Sequence, residues 1–140
     1  MNEDDYGHRT VPHTADLRIE AWAPTREGCI AQAVLGAVES FLDTSSVHPD
    51  RIHRCRLDAH SDEDLLVAVL DEVIYLVDTT GEAPVDVELV ADEEGVDVEF
   101  AMADAADLPQ IGAVPKAVSL HEVSCASGPG GWRCSVILDV

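Results

Sequence analysis

The sequence predicts an α+β, two-layer domain: a mixed, largely antiparallel sheet with two helices packed on one face. Two segments carry apolar residues at three- and four-residue spacing, the helical period, and several short segments alternate apolar with polar residues, the strand period. Their order is strand, helix, strand, helix, then a run of strands joined by short turns, which puts the helices early and the hairpins late. A length of 140 residues with 46% hydrophobic content suits one core.

Residues 1–10 are polar and acidic and read as a flexible N-terminal arm, leaving a single domain over 11–140. Residues 17–22 form a strand that begins after Asp16 and is ended by Pro24. Residues 26–42 read as a helix, with Thr25 as N-cap and Ile30, Ala33, Val34, Ala37, Val38 and Phe41 on one face. Residues 43–50 contain Thr44, two serines and Pro49 and read as a loop. A strand is expected over 52–57. Ser61 then caps a second helix, with Asp64 three residues on as a capping-box variant. Its apolar stripe is Leu65, Leu66, Val69, Leu70, Val73, Ile74 and Val77, and Gly81 stops it. Residues 85–90 and 96–100 alternate apolar with acidic residues around an acidic turn at 91–95, a hairpin with one wet face. Residues 103–114 are less regular and hold Pro109 and Gly112. Residues 116–126 and 132–140 form a second hairpin about 127–131.

The charge balance narrows the function classes. There are 28 acidic residues against 8 Lys plus Arg, a formal net charge of −20. Such a chain is repelled by phosphate, so direct nucleic-acid binding is not expected. The one dense basic group is Arg51, Arg54 and Arg56, with His53 among them. An RNA-related role would run through a basic protein partner, whereas the acid taken alone reads as a solvated coat. No run is apolar enough to span a bilayer, and the first nine residues have no apolar signal segment. The expected location is cytoplasmic, with no membrane association.

Among chemistry-bearing residues, most catalytic templates are missing: no Gly-rich phosphate loop, no G-x-S-x-G elbow, no H-E-x-x-H. The four cysteines, Cys29, Cys55, Cys125 and Cys134, lack C-x₂-C spacing and read as small buried hydrophobes. Cys125 and Cys134 flank a Gly/Pro turn and can face each other across a hairpin, reduced in a reducing compartment. No enzymatic activity is expected.

Two segments stand out. His13-Thr14-Ala15-Asp16 places an aspartate at the mouth of the first strand, where it either accepts a turn hydrogen bond or offers a hard oxygen to a cation. Ile137-Leu138-Asp139-Val140 carries a strand to the last residue, whose α-carboxylate adds an anionic oxygen. If the first and last strands are antiparallel neighbours, Asp16 approaches Asp139 and the Val140 oxygens. Crowded oxygens of this kind suit a hard divalent cation.

H-T-A-D at 13–16, the run Leu65, Leu66, Leu70, Asp71, Glu72 and Tyr75, the Lys116-Ala117-Val118 stretch followed by His121, and the closing Ile-Leu-Asp-Val together resemble the archease family, in order over nearly the whole chain. The resemblance implies a non-enzymatic protein cofactor of an RtcB-type RNA ligase. Such a ligase joins 2′,3′-cyclic phosphate or 3′-phosphate ends to 5′-hydroxyl ends with GTP and Mn²⁺, in tRNA splicing and RNA repair. The cofactor promotes ligase guanylylation and multiple turnover. The resemblance also implies a divalent metal ion, with Ca²⁺ preferred and Mg²⁺ or Mn²⁺ as alternatives, on Asp16, Asp139 and the backbone of Val140. His13, Lys116 and His121 become candidate partner contacts. The alternative is a metal-binding or chaperone-like module serving a different client. The chain departs from the family pattern at Pro12, where an acidic residue is frequent, at Leu120, where an aromatic is frequent, and over 103–114, which lacks a Gly-Glu pair.

Overall fold

A computed structural model describes residues 5–13 and 16–140, without the side chains of residues 12 and 13. The α+β class and the two helices stand, but the strands divide into two antiparallel sheets instead of one mixed sheet. Strands β1 (Gly7–His13), β2 (Asp16–Ala23), β6 (Ala117–Gly128) and β7 (Gly131–Asp139) form a four-stranded sheet of order β1-β2-β7-β6. Strands β3 (Arg51–Leu57), β4 (Glu82–Ala91) and β5 (Val96–Asp104) form a three-stranded sheet of order β3-β5-β4. Helix α1 (Arg26–Glu39) packs on β2 of one sheet and β4 of the other, so both sheets share it; helix α2 (Asp62–Thr80) packs on β6 and β4.

The expected loose arm is corrected over part of its length. Gly7–Thr10 pairs with Ile19–Trp22 as the start of β1, and the inward His8 bonds Gln32 of α1 at 2.8 Å. Pairing satisfies backbone groups that a free arm would leave to water. The rest of the predicted arm, residues 1–4, lies outside the described residues.

Both helices begin where their caps place them. The Thr25 hydroxyl accepts from the Gly28 amide at 3.0 Å, and Ser61 from the Asp64 amide at 3.1 Å. Asp62, Glu63 and Asp64 then put negative charge in the first turn of α2, where the helix dipole favours it. Gly81, at φ 72°, ends α2 in the left-handed conformation. Helix α1 stops three residues before the expected 42. Ser40 Oγ bonds back to the Ala37 carbonyl at 2.6 Å, and the Phe41 and Leu42 amides both turn onto the Val38 carbonyl. Leu42 then pairs with Gln110, which ties the irregular segment after β5 to the end of α1. Gly112 is required there: a Cβ would collide with the Ser40 carbonyl oxygen.

The core is one apolar cluster. Ile30, Val34 and Val38 of α1, Leu65, Leu66 and Leu70 of α2, Phe100 of β5 and Leu138 of β7 are all buried in it. No described polar or charged residue is fully buried, so the polar chemistry lies on the sheet faces and at the strand ends.

Candidate functional site: the carboxylate end of the four-stranded sheet

Side chains alternate across β2: Ile19, Ala21 and Ala23 are buried inward, so Asp16, Arg18, Glu20 and Trp22 share the outer face. Register extends each row across the sheet. Asp16 stands opposite Asp139, which stands opposite Ala117; Arg18 faces Ile137 and then Ser119; Glu20 faces Ser135 and then Ser124; Trp22 faces Arg133 and then Ala126. At the β1 edge, the backbone of His13 pairs with Asp16.

Asp16 and Asp139 are therefore directly opposed on neighbouring strands. Opposed residues carry their Cβ atoms roughly 4.5–5.5 Å apart, and like charges so placed repel. Neither carboxylate forms a hydrogen bond or ion pair with a described residue. The cations of the same face are engaged elsewhere: Arg9 with Glu20 at 2.6 Å, Arg18 with Glu122 at 3.0 Å, and Arg133 over the Trp22 ring at 6.0 Å. The start of β6 is fastened beside the pair, because the Lys116 amide donates to the Asp139 carbonyl at 2.8 Å. The Lys116 side chain is exposed and makes no ion pair with a described residue.

The geometry thus brings together Asp16, Asp139 and Lys116, with Val140 next in the chain. His121 lies apart from them in a bulge of β6. Thr14, Ala15 and the side chain of His13 lie outside the described residues. The donor set is two carboxylates and backbone oxygens, hard ligands of the kind Ca²⁺ and Mg²⁺ take. No third His, Cys, Asp or Glu among the described residues joins them closely enough to complete a three-side-chain site. Any cation here needs main-chain oxygens and water for the rest of its shell.

The bulge was not read from the sequence. Pairing of β6 with β7 breaks between Ser119 and Ser124, so residues 120–123 stand opposite Val136 alone. Glu122 takes φ 60°, the only positive φ outside glycine among the described residues. That conformation costs an L-residue roughly 1–2 kcal/mol. A signal was present in the sequence: apolar positions run Val118 and Leu120, then Val123 and Cys125, so the two-residue alternation changes phase between 120 and 123.

The basic group at 51–56 is not a free cationic surface. Arg51 pairs with Glu82, Arg54 with Glu99 at 3.0 Å, and Arg56 with Asp92 at 2.7 Å and Asp97 at 2.9 Å. The Arg56 guanidinium, with the amides of Glu94 and Gly95, holds the Asp92 carboxyl down to about 2. His53 Nε2 lies 3.5 Å from Glu72. The apolar pocket beneath Val114 and Pro115, lined also by Ala37, Phe41, Leu70 and Leu138, presents no titratable or nucleophilic group.

The four cysteines are free thiols, and Cys29, Cys125 and Cys134 are buried. Cys125 and Cys134 are opposed in the β6–β7 hairpin. Burial pushes the Cys125 thiol up to about 12, and burial with the Glu72 charge pushes Cys55 up to about 11. The native protein should therefore resist a thiol-specific chromogenic reagent at pH 8, with Cys55 alone reacting slowly, and release all four thiols once denatured. Prompt titration of two or more thiols in the native state would contradict this burial.

Comparison with known proteins bears on the whole chain. The family model described as "Archease protein family (MTH1598/TM1083)" matches residues 8–140. The chain belongs to the archease family. It is 66% identical over 134 residues to the "Probable protein archease" of Mycobacterium tuberculosis (strain ATCC 25618 / H37Rv), covering 96% of this chain and 75% of that protein. To the protein archease of Archaeoglobus fulgidus it is 27% identical, covering 95% and 98%. The fold matches the solution structure of Methanobacterium thermoautotrophicum protein 1598 with a TM-score of 0.78 at 23% identity, covering 96% of this chain and 99% of that one. A Thermotoga maritima crystal structure, described as an archease and possible chaperone, matches with a TM-score of 0.63 at 16% identity, covering 93% and 94%.

Proposed function

We propose that this archease-family protein is a non-enzymatic activator of an RtcB-type RNA ligase, promoting formation of the ligase–guanylate intermediate and multiple turnover in tRNA splicing or RNA repair. The observation that carries the reading is the opposition of Asp16 and Asp139 on β2 and β7, in a chain whose family is established. Asp16, Asp139 and the oxygens of Val140 hold one divalent cation, with Ca²⁺ preferred; Lys116, fastened beside Asp139, His13 and His121 contact the ligase. A divalent cation between the opposed carboxylates relieves their repulsion and neutralises their charge.

Charge argues for a protein client over direct RNA binding. The chain carries −20; Arg9 and Arg18 on the candidate face and the arginines of β3 are paired with carboxylates, which leaves Lys116 as the site's cation without an ion pair to a described residue. A ligase that gathers GTP, Mn²⁺ and an RNA end needs an electropositive or metal-rich cleft. An acidic partner is steered toward it, chiefly through a faster encounter.

The test is single-turnover guanylylation of the cognate ligase, with and without this protein, across a salt series. Stimulation should persist at sub-stoichiometric amounts. Its encounter-limited part should weaken as the screening length falls to about 8 Å near 0.15 M salt. No acceleration at any salt, with an active ligase, removes the reading. A chaperone-like role toward a different client is the second reading, favoured by the description of the Thermotoga maritima relative as a possible chaperone.

A further inference from the structure

We infer that the β6 bulge at residues 120–123 is a preformed docking knob, with Leu120 as its anchor for an apolar pocket at the rim of the partner ligase's cationic cleft. The inference rests on the functional reading above for the partner's identity.

Three observations meet at this bulge. Leu120 is 77% exposed, more than any other large hydrophobic side chain among the described residues. A single exposed leucine carries no meaning, but here the backbone is distorted to display it. Undisturbed alternation from Val118 would turn Leu120 toward the core; the bulge turns it out and returns Val123 and Cys125 to the inside. The distortion is also held in place. Glu122, in its left-handed conformation, is gripped by Arg18 at 3.0 Å, and Arg18 reaches Ser135 at 3.4 Å. This bridge runs from β2 to β6 and so spans β7 beside Ile137, which is buried although it lies on the outer face. The His121 amide is bound to Ser119 Oγ at 3.3 Å. An anchor fixed before contact loses less freedom on binding, and strain that the surroundings over-determine is a mark of functional segments.

The occupant follows from charge and position. The bulge stands opposite Val136, beyond the Arg18–Ile137–Ser119 row from the Asp16–Asp139 pair, on the same sheet. A second copy of this chain, an anionic membrane or a nucleic acid would each be repelled by a molecule of charge −20. A protein surface with a positive or metal-bearing rim and an apolar recess fits both features.

Binding of the full-length protein to the purified ligase, measured by calorimetry beside the guanylylation assay, tests this. Leu120→Ser should weaken Kd by about tenfold or more, as expected when a leucine side chain buried on binding is removed, while the rate at saturating protein changes less than about twofold. Leu120→Met should restore Kd. Glu122→Gly relieves the backbone but releases the Arg18 grip, so affinity should fall several-fold with the melting temperature unchanged or higher. An unchanged Kd for Leu120→Ser overturns the knob even when the wild type stimulates the ligase. If the wild type binds without stimulating, the functional reading fails and the knob is judged on Kd alone. If it does not bind, both fail. A wild-type dimer that Leu120→Ser dissolves would assign the surface to a second copy and overturn the inference.

Discussion

Asp16→Ala and Asp139→Ala, each alone, should abolish most of the stimulation of ligase guanylylation and weaken divalent-cation binding by at least about tenfold, the loss typical of disturbing even the outer shell of a metal site. The same variants should not be less stable. The two carboxylates face each other across β2 and β7, and directly opposed like charges cost roughly 0.2–1 kcal/mol. In chelator, therefore, the alanine variants should melt at the wild-type temperature or slightly above it. Added Ca²⁺ should raise the wild-type midpoint but not theirs. Loss of stimulation together with a lower midpoint in chelator would mean that the substitutions damage the fold, and the site assignment would lose its support. Calorimetric titration that finds wild-type cation affinity in both variants would remove the metal assignment outright.

The largest effect on stability should come from Leu138→Ala. Leu138 is fully buried, faces Leu17 across β2 and Val118 across β6, and lines the apolar pocket between the helices and the sheet. Truncating a buried leucine costs about 2–5 kcal/mol, toward the upper end where the surroundings cannot collapse into the space. A pocket already present beside the side chain would enlarge, so the upper half of that range is expected. For a chain of this size, each 1 kcal/mol lowers the midpoint by roughly 2–8 °C. Chemical denaturation should show the loss in the midpoint concentration without a change in slope. A cost below about 1 kcal/mol would mean that the pocket closes freely and that β7 is less tightly seated than its burial implies.

Legibility in the sequence followed how local each signal is. Thr25, Ser61 and Gly81 act through bonds three or four residues away, and they place the helix boundaries as their chemistry predicts. The end of α1 was less legible, because it depends on Leu42 pairing with Gln110, a partner sixty-odd positions along the chain. The split into two sheets is likewise non-local. Nothing in the alternation of 51–57 says whether it pairs with β2 or β5, since alternation marks which face is buried and not which strand the backbone edges pair with. The arm at 1–10 was misread in part because β1 is a polar edge strand: Arg9 and Thr10 are both exposed, and edge strands commonly carry such residues. For the candidate site, the approach of Asp16 to Asp139 followed from assuming that their strands are antiparallel neighbours, and the register makes them so. The bulge at 120–123 escaped because a phase change of one residue within a twelve-residue strand resembles an ordinary polar interruption.

The pairing of β2 with β7 joins residues near opposite ends of the described chain, with both helices and the whole three-stranded sheet between them. Contacts of such long sequence separation form late and slowly, because the entropy of closing the intervening loop is lost before the contact returns anything. The opposed carboxylates therefore cannot assemble on any fragment that lacks either β2 or β7. Cation binding by this protein would then serve as a readout of the finished native state, lost at the first opening of the β2–β7 seam even while the hairpins and helices persist.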